Sequence, residues 1–202
     1  MKTKNEHLKK YVLMLMNKEN KLTNSCKLKE WDLILDEVCA DIYSWPLLTE
    51  GFCNHIISQA EQYGDWTEGR HEFYPTHDMT LKTIGLQDEY CEILKEYVYP
   101  PAIHKWSLEG KSWQDLSFEN FIIKYTPEHQ SHLSLHHDHS KITSIVTLNE
   151  DFIGGGTYFE RQKFLLKTPT GHVSIHPGNI THRHGARPIT DGVRYVLVTF
   201  SN

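Results

Sequence analysis

The segment LSLHHDHSKIT, residues 133–143, sets His136, His137, Asp138 and His139 in succession. Imidazole nitrogens and carboxylate oxygens are the donors that hold divalent first-row metals. In an extended strand, residues two apart point to the same face. His136 and Asp138 are therefore one pair, with His137 and His139 turned away from it. Further along, THRHGARP offers His182 and His184. Two histidines and one carboxylate on one face match the facial triad that holds non-haem iron(II), in which three protein donors leave three octahedral positions open. Those positions can take a bidentate co-substrate and O2. An HxD triplet alone is a weak signal, because most of the 14 histidines lie between His129 and His184 and such triplets arise by chance in that company.

A second component raises the specificity. The C-terminal run GVRYVLVTF carries Arg194 as a lone cation, sharing a strand face with Val196, Val198 and Phe200. A guanidinium inside a β core is costly unless an anion pairs with it, and its planar fork fits a carboxylate. A metal that chelates a 2-oxo acid, with an inward arginine for the far carboxylate, is what a 2-oxoglutarate site requires.

The elements that must position these residues follow from texture. From about residue 117, seven short β-branched and aromatic runs (SFENFIIKY, HLSLHHD, ITSIVTLN, GGGTYFE, FLLKTP, HVSIHPG and VRYVLVTFSN) alternate with Pro, Gly, Asn and Asp turns. That spacing predicts an antiparallel sandwich, jelly roll or barrel. Upstream, TEGFCNHIISQAEQYG predicts a helix from an N-cap at Thr49 to Gly64. DEYCEILKEYVYPPAI predicts another, stopped by Pro100 and Pro101, and DIYSWPLL is extended. Residues 1–40 read as a helical extension, with apolar stripes at Leu8, Val12 and Leu13 and at Trp31, Leu35 and Val38. The expectation is a mainly β chain with flanking helices.

Composition narrows the class. The formal net charge is −5, which disfavours a nucleic-acid surface. Cys26, Cys39, Cys53 and Cys91 form no CxxC pair and give a cysteine zinc site no support. The N-terminal stretch lacks the apolar region of a signal peptide, and no run reaches transmembrane length. Unless the chain is a fragment of a secretory-pathway protein, this favours a cytoplasmic or viral setting.

Taken in order, DIYSWPLLTEGFCNHIISQAEQYGDW, PTHDMTL, FIIKYTPEHQSHLSLHHD, LNEDFIGGG, HPGNITHRHG and TDGVRYVLVTF resemble the C-terminal dioxygenase domain of the procollagen lysyl hydroxylases, over residues 41–202. The resemblance implies a double-stranded β-helix (jelly-roll) core at about 117–202. It implies iron ligands His136, Asp138 and His184, with 2-oxoglutarate held by Arg194 and Tyr125. Fe(II), 2-oxoglutarate, O2 and ascorbate would be the cofactors and co-substrates. The substrate would be peptidyl lysine in collagen-like sequence, with Asp78 a candidate for its ammonium and a homodimer the assembly. Ile145 departs from the pattern, standing where a polar Asn is expected. Rival readings are an oxygenase acting on a prolyl, non-collagen lysyl or free amino-acid acceptor, a zinc hydrolase on the same three ligands, and a non-catalytic cupin-like module.

Overall fold

The structure, a computed structural model, describes residues 35–106 and 116–202. In chain order the elements are β1 (Asp36–Cys39), β2 (Ile42–Pro46), α1 (Glu50–Tyr63), β3 (Asp78–Thr80), α2 (Gln87–Tyr97), α3 (Tyr99–Lys105), β4 (Phe118–Tyr125), β5 (Leu133–His136), β6 (Ile142–Thr147), β7 (Phe152–Gly154), β8 (Thr157–Phe159), β9 (Phe164–Leu166), β10 (His172–Pro177), β11 (His184–Ala186), β12 (Ile189–Gly192) and β13 (Arg194–Ser201).

The strands form a seven-stranded sheet in the order β1-β2-β10-β6-β13-β4-β3, a four-stranded sheet β5-β11-β8-β9 and a β12-β7 ribbon. Non-sequential antiparallel neighbours wind the chain between the two larger sheets, which is the jelly-roll arrangement.

Strand alternation gives the large sheet two apolar faces. Ile122, Val146, Val173, Ile175 and Leu197 pack with Ile56, Ile93 and Leu94 of the helices. Phe121, Ile123, Tyr125, Ile145, Val196 and Val198 face the other way, toward the small sheet. Because both faces are covered, β4, β6 and β13 read as near-continuous hydrophobic runs.

The helices follow their local signals. The Thr49 hydroxyl accepts from the Phe52 amide at 3.3 Å, and Gly64 ends α1 at φ 76°, a left-handed cap that glycine adopts without a Cβ penalty. Pro100 and Pro101 do not stop a helix. The first helix ends at Tyr97, and the prolines occupy the first turn of α3, where a missing N–H costs nothing.

Of the predicted helical extension over residues 1–40, residues 1–34 lie outside the described part of the chain. Its last residues, Asp36–Cys39, are a strand rather than a helix, because they pair antiparallel with β2 at the sheet edge. Of the strands, β3, β7, β11 and β12 are short and were not legible as separate runs.

Candidate active site

His136 ends β5, His184 begins β11, and the two are directly opposed in the antiparallel register of the small sheet. Asp138 lies two residues beyond β5, where its amide donates to the Gly178 carbonyl at 3.0 Å. The alternation expected of a strand therefore survives beyond the strand's end: His136, Asp138 and Ser140 are buried, while His137 and His139 are exposed. His137 is not packed away, and it joins His139 on the cavity lining. Gly178 is required here, since a Cβ would run into the backbone and hydroxyl of Ser140.

The three side chains converge. His136 Nε2 is 3.2 Å from Asp138 Oδ1, His184 Nε2 is 3.6 Å from Asp138 Oδ2, and the donor atoms all lie within 4.8 Å of one another. Nδ1 of His136 donates to the Ser134 carbonyl at 2.7 Å, and Nδ1 of His184 to the His182 carbonyl at 2.9 Å. Those bonds fix the tautomer and leave both Nε2 lone pairs aimed at the shared centre, as a carbonyl on the far nitrogen does for metal-binding imidazoles. The Thr143 hydroxyl donates to Asp138 Oδ2 at 2.6 Å and orients the carboxylate.

Burial alone would raise the Asp138 pKa, but the surrounding His184, His136 and His176 imidazoles outweigh it and hold the carboxyl below the usual carboxylate range. Burial pushes His184 down, so it is neutral and free to ligate. Burial also opposes charging of His136, but the adjacent Asp138 carboxylate and the Ser134 carbonyl raise it. An ionised carboxylate and two imidazole nitrogens on one side of an open cavity fit iron(II).

Of His182 and His184, only His184 comes together with His136 and Asp138. The His182 ring bonds to the Thr181 hydroxyl and the Ala40 carbonyl, so it braces the loop while its own carbonyl holds His184. His176, which sequence reasoning passed over, is fully buried beside the triad, with Nε2 3.9 Å from Asp138 Oδ2 and neither nitrogen hydrogen-bonded. Period two in HVSIHPG would have flagged it, because Ser174 and His176 share a face opposite Val173 and Ile175.

Arg194 is 5% exposed and starts β13 opposite Tyr125 of β4. Among the described residues its contacts are a 3.4 Å hydrogen bond to Thr157 Oγ1 and the faces of Tyr125 and Phe152, with guanidinium-to-centroid distances of 5.3 and 6.0 Å. No carboxylate of those residues pairs with it, and burial lowers its pKa. Gly155, at φ 62°, lies against its stem, where a Cβ would come within 3.2 Å of Arg194 Cδ. Tyr125 is buried, and burial pushes its hydroxyl up to about 12, so it is a neutral donor.

His136, Asp138, His184, Arg194 and Tyr125 all line one cavity of about 250 Å³, whose walls are Phe121, Ile123, Ile145, Val196 and Val198. An apolar chamber with a metal triad at one place and an unpaired guanidinium at another suits a small dicarboxylate. Asp78 is not available to a substrate: it is fully buried, with Arg70 Nε at 2.5 Å and the Thr76 hydroxyl on its other oxygen. Among the described residues, the cavity's other carboxylate besides Asp138 is Glu72, exposed on the rim with the aromatic side chains of Phe73 and Tyr74.

The fold is similar to that of solved 2-oxoglutarate and iron(II) oxygenases. A viral collagen prolyl hydroxylase from Paramecium bursaria Chlorella virus-1, solved with 2-oxoglutarate, has a similar fold (TM-score 0.58, 15% identity, covering 81% of this chain and 98% of that one). A Pseudomonas putida prolyl-4-hydroxylase is similar at TM-score 0.60 and 10% identity, covering 80% and 92%.

In sequence the chain is 36% identical over 180 residues to the rat multifunctional procollagen lysine hydroxylase and glycosyltransferase LH3, covering 83% of this chain and 24% of the relative. It is 34% identical over 185 residues to the procollagen lysyl hydroxylase and glycosyltransferase of Acanthamoeba polyphaga mimivirus, covering 85% and 20%. No protein-family model matches the chain. The chain is a homologue of one segment of the procollagen lysine hydroxylases. It spans about a quarter of the length of the curated relatives it matches.

Proposed function

We propose that the chain is an Fe(II)- and 2-oxoglutarate-dependent dioxygenase that hydroxylates peptidyl lysine. The observation that carries this reading is the pairing, in one cavity, of the open His136–Asp138–His184 set with the carboxylate-free Arg194. A zinc hydrolase would have no use for Arg194. A non-catalytic module would need neither the open metal face nor the buried cation. The relatives' names point to lysine in procollagen as the acceptor.

His136, Asp138 and His184 would hold iron(II), which with 2-oxoglutarate and O2 supplies the oxidising chemistry. The overall balance is 2-oxoglutarate plus O2 plus a C–H group giving succinate, CO2 and C–OH. Ascorbate would keep the iron reduced.

This chain's own residues do the rest. Arg194 and the Tyr125 hydroxyl bind the distal carboxylate of 2-oxoglutarate, orienting its keto-acid end toward the triad. The walls of Phe121, Ile123, Val196 and Val198 exclude water from the reacting centre. Ile145 keeps that wall apolar where a polar contact was expected. Glu72 on the rim receives the lysine ammonium, with the aliphatic stem lying along Phe73 and Tyr74. Two copies of the chain pair as a homodimer, which sedimentation of the purified protein would check.

The test is incubation with Fe(II), 2-oxoglutarate, ascorbate and a Gly-Xaa-Lys peptide, reading succinate and oxygen incorporation by mass spectrometry. Both products are expected. Succinate without peptide oxidation would reject the acceptor and keep the oxygenase, and hydroxylation of a prolyl peptide instead would move the acceptor to proline.

A further inference from the structure

Away from the cavity, Glu68, His77 and His129 each present one donor atom, and those atoms lie within 4.8 Å of one another. The residues come from distant parts of the chain. Glu68 follows Thr67, whose amide and carbonyl both bond to Asp78 at 3.0 and 2.9 Å. His77 immediately precedes β3, and His129 lies in the loop from β4 to β5.

The backbone around them is held by its own bonds. The His77 amide donates to Gln130 Oε1 at 2.6 Å, and its carbonyl accepts from Lys124 at 2.9 Å. Gln130 Nε2 donates to the Pro75 carbonyl at 2.9 Å. The His77 and His129 rings meet edge to face at 4.4 Å, and Glu68 Oε1 pairs with His129 Nε2. The Glu68–His129 contact explains two of the three side chains but not the third: His77 Nε2 is buried with no hydrogen-bond partner.

We propose that Glu68, His77 and His129 form a second metal site, separate from the His136–Asp138–His184 triad, that takes a divalent transition ion. Two imidazoles and one carboxylate suit zinc, nickel, copper or iron(II), and the exposure of Glu68 and His129 leaves the remaining positions to water.

The ion would act on shape rather than on chemistry. Glu68 and His77 bracket residues 69–76, which include Glu72, Phe73 and Tyr74 of the cavity rim. Tying both ends of that stretch to the β4–β5 loop through His129 restrains the rim over the cavity. The site's existence does not depend on the proposed reaction.

The probe is nickel(II) added to the metal-free full-length protein, with stoichiometry from calorimetry and a local signal from fluorescence. The Trp66 ring lies 5.5 Å from that of His77, so nickel bound there quenches it. Wild type is expected to take two ions per chain. Asp138→Ala should retain the ion that quenches Trp66. His129→Ala and Glu68→Ala, both at exposed positions that leave the fold intact, should weaken that binding at least tenfold. Trp66→Phe should remove the quench without changing the stoichiometry. The proposal is overturned if wild type binds one ion that is lost in Asp138→Ala. It is also overturned if the second ion or the Trp66 quench persists unchanged in His129→Ala.

Discussion

At the scale of single residues, the informative fact is a charge without a partner. A guanidinium buried among aromatic rings is destabilising unless an anion reaches it, and no carboxylate among the described residues does so for Arg194. Replacing it with Ala should raise the KM for 2-oxoglutarate by about 100-fold or more, since losing one member of a buried charge pair costs roughly 2–5 kcal/mol. Arg194→Lys should recover only part of this, because an ammonium cannot form the two parallel bonds. An unchanged KM in either variant would take Arg194 out of co-substrate binding. Glu72→Gln should raise the KM for a lysine peptide by about fivefold while leaving that for 2-oxoglutarate alone, consistent with one rim ion pair of about 1 kcal/mol. Equal changes in both constants would mean that Glu72 shapes the cavity and does not select the substrate. Both effects are read from initial rates of succinate release.

At the scale of elements, register does the work. His136 and His184 face each other because β5 and β11 pair there, and Asp138 is held by a loop that closes on Gly178. Gly178→Ala should therefore cost about 1–3 kcal/mol of stability through overpacking against Ser140, and it should weaken metal binding because Asp138 shifts with its loop. Denaturant midpoints with and without metal would separate the two effects. Thr49→Ala, at the N-cap of α1, should cost about 1 kcal/mol and leave both KM values unchanged. A change in KM there would mean that α1 communicates with the cavity.

At the scale of the whole molecule, buried neutral imidazoles couple the fold to pH. Burial lowers the pKa of His71, His77, His176, His182 and His184, while the Asp138 partner raises that of His136. Unfolded, each takes up a proton near pH 6.5. The lowered groups resist protonation when folded, so the unfolded chain binds more protons as pH falls below about 6.5, and the stability they contribute is lost toward their folded values. His136 works in the opposite sense and offsets one of them. The metal-free protein should thus unfold at lower urea at about pH 5.5 than at about pH 7.5, and protons should also compete with metal for His136 and His184. A midpoint that holds or rises on acidification would contradict the burial of these rings. No helix among the described residues is long and apolar enough to cross a membrane.

Much of this was legible beforehand, for reasons that lie in local chemistry. Period two in VRYVLVTF put Arg194, Val196, Val198 and Phe200 on one face, and these residues line the cavity. A capping threonine and a terminal glycine bounded α1. What the chain could not declare locally was anything set by long-range pairing. Pro100 and Pro101 look like a helix stop but open a new helix. His182 and His184 are equivalent in sequence, and only the pairing of β11 with β5 sends one to the triad and the other to Ala40. Asp78 looked free and is consumed by Arg70, whereas Glu72 was unremarked and reaches the rim. Side-chain type and alternation determined which donors this protein owns and which strand face carries them. Tertiary structure decided which of those donors meet, because strand register and loop packing join residues from well-separated parts of the chain.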